Sequence, residues 1–263
     1  MRKGGVLKEI VNKKKERISL AKQQFPEEEL KVKIEGLSAT RPFIEAINKP
    51  RTISLIAEIK KASPSCGVIR PDFNLEEIAR IYQEADVQAI SVLTEEDFFQ
   101  GSLSYINEVK KITKQPVLRK DFILEPYQVY ESRFFGADAV LLIADLLSKD
   151  KLSELTQIAS GLGLDYLVEI HSEKDLKKAL GLKGIPLIGI NNRDLHTLEV
   201  DFKVTERLFP LIPKEKVIVV ESGVQAHQDI LFLKILGVSA VLIGEAFMQA
   251  EDVRRKIEEI MGW

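Results

Sequence analysis

Cysteine is almost absent from this chain of 263 residues, where Cys66 stands alone. One thiol cannot form an internal disulfide, so a stapled secreted scaffold is excluded and a reducing compartment fits. Histidine is nearly as scarce. His171, His196 and His227 lack the spacing of a metal-binding set, and Cys66 has no evident base beside it. An excess of one charge is missing too: the net charge of −2 leaves no electrostatic footprint for nucleic acid. No apolar run approaches the ~20 residues of a membrane span. The opening stretch, MRKGGVLKEIVNKKKERI, lacks the apolar core of a secretory signal. Neither a P-loop nor a dinucleotide fingerprint is found. These absences lead to the expectation of a cytoplasmic protein that binds neither nucleic acid nor membrane.

What the chain does have is apolar material, 45% of its residues, cut into short runs rich in Val, Ile and Leu. Strands are expected over 53–60, 88–93, 116–120, 138–143, 165–170, 186–190, 217–221 and 240–243. Between them, polar segments of helical period predict helices over 75–85, 102–113, 126–135, 150–160, 173–181, 204–209, 226–236 and 251–261. The strand ends recur at steps of roughly 22–34 residues, eight times, as in a (β/α)8 TIM barrel. Continuous rather than alternating apolar strands suit a parallel sheet covered by helices. A doubly wound open sheet shares the alternation, but eight units favour closure.

The barrel accounts for 49–263 and leaves 1–48 as an N-terminal helical extension. There VLKEIVNKKKERISLAKQQ reads as a helix with Val6, Ile10, Ile18 and Leu20 among charges. Pro26 breaks it, and RPFIEAINK follows as a short helix. The extension is a cap under the barrel, a set of surface helices, or a lid over the barrel mouth, and all three readings stand at this level.

Polar groups recur where the apolar strands end. Glu58 and Lys60 close ISLIAEIK, and strand alternation puts both on one face. Lys120 ends PVLRK, Glu169 lies in YLVEI, Asn191 ends LIGIN, and Glu221 ends VIVVE. Ionised groups in a core are costly unless paired or functional, and barrel enzymes build their sites at strand carboxyl ends. Two glycines follow the last two strands, in ESG (221–223) and IGE (243–245). Loops after strands 7 and 8 are frequent phosphate sites in barrels, so Gly223 and Gly244 are expected to offer backbone N–H groups to an anion. Glu245 would serve only through its N–H. A side chain at Gly244 is expected to point into the phosphate position.

Several of these segments together resemble indole-3-glycerol phosphate synthase. IAEIKKASPSCGVIR (56–70), LTEEDFFQGS (93–102), VLRKDFI (117–123), LVEIH (167–171), IGINNRDL (188–195), VVESGV (219–224) and LIGEAFM (242–248) are similar to that family's signatures, in order. Cys66 departs from the pattern, since many members carry Lys there. The resemblance implies ring closure of a carboxyphenylamino-deoxyribulose phosphate with loss of CO2 and water. It implies no cofactor and no metal, because the substrate carries its own amine and carbonyl. The partner is then a small phosphorylated molecule, and the chain a monomer or weak homodimer.

By the same resemblance Lys120 is the general acid that protonates the carbonyl oxygen. Glu169 accepts a proton in the dehydration half or orients the acid. Lys60 meets substrate carboxylate or phosphate and acts as an acid later, with Glu58 as its partner. Asn191 binds a hydroxyl, Glu221 either binds a hydroxyl or supports a neighbouring catalytic group from behind, Ser63 and Ser222 touch substrate, and Arg193 binds the carboxylate of the aromatic ring. Phe98 and Phe99 wall that ring. Each residue has a plainer reading: a solvated strand-end Lys, a structural ion pair, a turn Asn, a surface Arg, a core aromatic. Two other functions remain beside this one. A related phosphate-binding barrel such as phosphoribosylanthranilate isomerase is expected to use a Cys and Asp pair, which is not found here. A non-catalytic barrel would not need Lys60, Lys120 and Glu169 together.

Overall fold

The computed structural model describes residues 5–263 and forms a closed barrel of eight parallel strands. Residues 1–4 of the expected extension lie outside the described residues. The strands are β1 Ser54–Ile59, β2 Ala89–Leu93, β3 Val117–Lys120, β4 Ala139–Ile143, β5 Asp165–Ile170, β6 Leu187–Asn191, β7 Val217–Glu221 and β8 Ala240–Ile243. Neighbours in sequence are neighbours in the sheet, and β1 closes on β8 with Ser54 opposite Ala240.

These runs become strands because both faces are buried. Ile56, Ala89, Leu118, Leu141, Leu167, Val219 and Leu242 fill the barrel interior. Leu55, Ala57, Ile59, Val92, Val140 and Val220 face the surrounding helices. An all-apolar strand is stable only where neither face meets water.

The helices are α1 Val6–Gln24, α2 Glu27–Ile34, α3 Phe43–Ile47, α4 Leu75–Glu84, α5 Ser104–Ile112, α6 Pro126–Phe134, α7 Lys149–Gly161, α8 Glu173–Leu180, α9 Lys203–Leu208, α10 His227–Leu236, α11 Glu245–Gln249 and α12 Val253–Met261. Their starts are written in the sequence. The side chains of Asn74, Ser148, Ser172 and Asp252 each accept an N–H from the first turn. Helices α2 and α11, and a short hairpin pairing Ala62–Ser63 with Gly67–Val68, were not expected. Pro26 ends α1 but also starts α2, since proline suits the first turn of a helix. Glu27, Glu28 and Glu29 at its positive end, with Lys31 and Lys33 at the other, favour it further.

The extension covers both ends of the barrel, with different segments. Helix α3 plugs the bottom: Phe43 and Ile47 are fully buried in the interior cluster. The Ile44 N–H donates to Asp165 at 2.9 Å and the Arg41 N–H to Asp138 at 2.7 Å, two carboxylates at the amino ends of strands. Helix α1 crosses the opposite end, and its Val6, Leu7 and Ile10 join the same cluster from above. Burying such side chains is worth about 1.5–3 kcal/mol each. Leu20, expected on the apolar face, is 55% exposed, and Leu7 takes its place. No helix among the described residues is long and apolar enough to cross a membrane.

Candidate active site

A cavity of about 600 Å3 opens at the carboxyl ends of the strands, under α1. That size suits a small ligand. All but one of the residues singled out above as catalytic or substrate-binding line it: Glu58, Lys60, Ser63, Phe99, Lys120, Glu169, Asn191, Arg193, Glu221, Ser222, Gly223, Gly244 and Glu245. Phe98 does not. It packs against the interior cluster, while Phe99 stands 6.1 Å from Phe122 on the cavity wall. Leu7 and Ile10 form part of the roof.

Three carboxylates share two ammonium groups on the cavity floor. Lys60 Nζ lies 2.9 Å from Glu58 Oε2. Lys120 Nζ lies 3.3 Å from Glu169 Oε2 and closer still to Glu221 Oε2. Of the two roles expected for Glu221, this arrangement shows the supporting one, because Glu221 is the nearest partner of Lys120. Its other oxygen, Oε1, is buried without a hydrogen-bond partner.

This crowding sets the protonation states. Burial alone would make Lys120 a stronger acid, but Glu221, Glu169 and Glu58 outweigh burial and hold the ammonium protonated, above its ordinary range. Burial would likewise raise Glu58, yet Lys60 and Lys120 hold it below the usual carboxylate range. For Glu221, burial is the largest influence and Glu169 adds to it. Lys120 opposes both, and the carboxyl is pushed up to about 8. The excess negative charge of the trio is thus relieved by a proton kept on Glu221.

That proton gives a prediction for stability. Between its ordinary value of 4.5 and about 8, Glu221 holds a proton in the folded chain that the unfolded chain has released. The stability this provides is full below the lower value and is lost as pH rises through the upper one, by at most about 1.4 kcal/mol per pH unit. Glu221→Gln removes this contribution. Thermal unfolding across that window should show Tm falling less steeply in the mutant than in the wild type. Equal slopes would place the proton elsewhere.

Two glycines make room for the carboxylates. A Cβ at Gly189 would lie 2.3 Å from Glu221 Oε1, and one at Gly244 would lie 2.3 Å from Glu58 Oε2 and 2.8 Å from its Cβ. The expectation that a side chain at Gly244 would enter the phosphate position is therefore corrected: it would strike Glu58. Gly189→Ala should push Glu221 off Lys120 and lower kcat roughly 10-fold or more, since small misplacements near the chemistry are costly. Steady-state kinetics beside circular dichroism would check this, and unchanged kcat would show that Glu221 can move freely.

The loops above are tied together. Arg193 Nη2 donates to Glu245 Oε2 at 3.0 Å and Nη1 to the Leu198 carbonyl at 3.1 Å, while the Cys66 thiol donates to Glu245 Oε1 at 3.5 Å. In this arrangement the Arg193 fork faces Glu245 rather than lying free for a substrate carboxylate. Only the N–H of Glu245 was expected to serve, yet its side chain bridges the loops after β1, β6 and β8. Asn191 Oδ1 accepts the Arg193 N–H at 2.9 Å. Ser63 Oγ accepts the Cys66 N–H at 3.3 Å, which shapes the first loop. Ser222 and Gly223 have φ of 64° and 91°, and they turn the chain sharply at the end of β7.

The order of these residues around one barrel mouth can be compared with known proteins. The description of indole-3-glycerol phosphate synthase matches residues 7–260. The chain belongs to the indole-3-glycerol phosphate synthase family. Members to which it is similar come from Caldanaerobacter subterraneus subsp. tengcongensis, 51% identical over 95% of this chain and 96% of the relative, and from Acetivibrio thermocellus, 47% identical over 97% and 98%. Among solved structures, 3-hexulose-6-phosphate synthase from Salmonella typhimurium is similar with a TM-score of 0.63 at 17% identity, covering 80% of this chain and 97% of that one. A mutant tryptophan synthase alpha-subunit from Pyrococcus furiosus gives 0.60 at 16%, covering 80% and 98%. At such identity these two show the barrel fold alone. Membership of the indole-3-glycerol phosphate synthase family makes the protein an enzyme of tryptophan biosynthesis, a decarboxylating carbon–carbon lyase acting on a small phosphorylated substrate.

Sequence reasoning missed three parts of the site. Leu7 and Ile10 were not seen as roof, although their spacing of three places them on one helix face. Nothing local distinguishes Lys14 within a run of lysines, yet it is buried and paired to Asp121 at 2.9 Å. Asp121 and Arg119, on either side of Lys120, are both buried in a charged network.

Proposed function

We propose that ring closure of 1-(2-carboxyphenylamino)-1-deoxyribulose 5-phosphate takes place against Lys120, with Glu169 and Lys60 completing the dehydration. The supporting observation is the Lys120 ammonium held between Glu169 and Glu221 on the floor of a cavity that also reaches Gly223 and Gly244. The substrate phosphate lies toward the N–H groups of Gly223, Gly244 and Glu245, with Lys60 and Ser63 across from them. Phe99 and the apolar roof of Leu7 and Ile10 flank the aromatic ring.

The ring carbon that bears the carboxylate attacks the ribulose carbonyl carbon, and Lys120 delivers its proton to the carbonyl oxygen. Loss of CO2 returns the electron pair to the ring. The new hydroxyl then leaves as water with a proton from Lys60, while Glu169 accepts the proton whose loss completes the indole. An ammonium held above its ordinary range by its glutamate neighbours is a weak acid before the substrate binds. Its proton becomes transferable as negative charge grows on the carbonyl oxygen, where general acid assistance is typically worth ~10²–10⁴-fold. Asn191 holds a substrate hydroxyl, and Ser222 lines the phosphate end. Arg193 meets the substrate carboxylate after releasing Glu245, or else keeps the loops closed.

The reaction and the single Cys66 fit a cytoplasmic enzyme, acting as a monomer or weak homodimer. Substrate labelled in its carboxylate tests the proposal: one labelled CO2 should be released per indole formed. Turnover of phosphoribosylanthranilate without CO2 release would instead favour the isomerase.

A further inference from the structure

Helix α1 buries one cation. Lys14 is 3% exposed, while Lys13 and Lys15 beside it face solvent. Its Nζ lies 2.9 Å from Asp121 Oδ1 and 2.8 Å from Glu96 Oε2. Burial would make this ammonium give up its proton more readily, but Asp121 and Glu96 outweigh burial and keep it charged. An ammonium removed from water at this cost requires both carboxylates, and breaking a buried pair by removing one partner is strongly unfavourable.

The two partners lead to different parts of the site. Asp121 follows Lys120 directly. Its Oδ1 also accepts the Phe122 N–H at 2.8 Å, and its Oδ2 accepts the Thr94 hydroxyl at 2.6 Å and Arg119 Nη2 at 3.0 Å. Arg119, just before Lys120, is held in turn by Glu131 at 2.9 Å and by Ser132 Oγ at 3.0 Å. Both sequence neighbours of Lys120 are therefore locked, and the ammonium between them is aimed by the way they are held. Glu96 belongs to the loop after β2. There Glu95 accepts the N–H groups of Asp97, Phe98 and Phe99 at 3.2, 2.8 and 3.1 Å and fixes Phe99 on the cavity wall.

We propose that Lys14 is a positioning residue: by gripping Asp121 and Glu96 it couples the seating of α1 over the cavity to the aim of Lys120. The inference rests on the reading of Lys120 as the acid of ring closure. A residue that merely docked α1 would affect stability and substrate affinity, since Leu7 and Ile10 roof the cavity. A residue that aims Lys120 affects the rate of the bound complex.

The test is a comparison of Lys14→Met, Lys14→Arg and Asp121→Asn with the wild type, measuring kcat and KM separately. Lys14→Met should lower kcat roughly 10²-fold, the scale of a misplaced catalytic group, and Lys14→Arg should restore most of it. Combined with Asp121→Asn, Lys14→Met should add little further loss, because contacting residues are not additive. A Lys14→Met enzyme with wild-type kcat, changed only in Tm or KM, would reduce Lys14 to a docking contact and overturn the proposal. So would an arginine variant no better than the methionine one. If Lys14→Met does not fold, Lys14→Gln takes its place, and wild-type kcat there is equally fatal. Lys120→Ala run alongside separates the two readings. If that mutant turns over normally, the assignment of the acid fails. If it is inactive while Lys14→Met is unaffected, only the role of Lys14 fails.

Discussion

Replacing Lys120 by alanine is expected to lower kcat by roughly 10²–10⁴-fold, the range of a lost general acid, while the barrel stays folded. The fold should survive because Lys120 is not needed to fill the core. It sits on the cavity floor, and Glu221 already accommodates a proton there with its carboxyl pushed up to about 8. Without Lys120, Glu221 and Glu169 lose their shared cation, and the Glu221 carboxyl loses the neighbour that opposes its upward shift. KM should change far less than kcat, because the substrate phosphate is proposed to bind away from Lys120, at the loops after β7 and β8. Lys120→Met, closer in shape, should behave alike. A mutant with normal turnover would show that the ammonium is only a structural counter-ion for the two glutamates.

Glu169→Gln is expected to act later. The amide keeps a hydrogen-bonding group near Lys120, where Glu169 Oε2 lies 3.3 Å from its Nζ, but it cannot take up a proton. Ring closure and loss of CO2 should continue, and dehydration should slow by roughly 10²-fold or more. A ring-closed intermediate that is not yet an indole should then accumulate, visible by rapid quenching and mass spectrometry. Unchanged steady-state and single-turnover rates would leave Glu169 as a structural partner of Lys120.

The barrel was legible because each strand is a short, largely buried and mainly apolar run between turn residues. Expected and observed strands differ by about one residue at their ends, as at 53–60 against Ser54–Ile59. Helix α2 was not legible because its only buried residue is Leu30, so it has no apolar stripe to detect. The five residues of α11 are too few to show a period. Strand-end polar residues could be listed from the sequence, and Glu58 could be paired with Lys60 two positions on, but the β7 partner of Lys120 could not be read. Lys120 on β3 meets Glu221 on β7 across the barrel, 101 residues apart, and no spacing rule relates them. The same holds for the grip of Lys14 on Asp121. Gly189 lies inside β6, and nothing in the sequence shows that its missing side chain is the space for Glu221.

The division of labour between Lys120 and Glu169 is tested most directly by a single-turnover experiment that follows two signals, labelled CO2 for the first half-reaction and indole absorbance for the second. The wild type should release both in step. Lys120→Ala should release neither on the wild-type timescale, and Glu169→Gln should release CO2 ahead of indole. Release of CO2 by Lys120→Ala at the wild-type rate, or indole formation by Glu169→Gln without delay, would contradict these assignments.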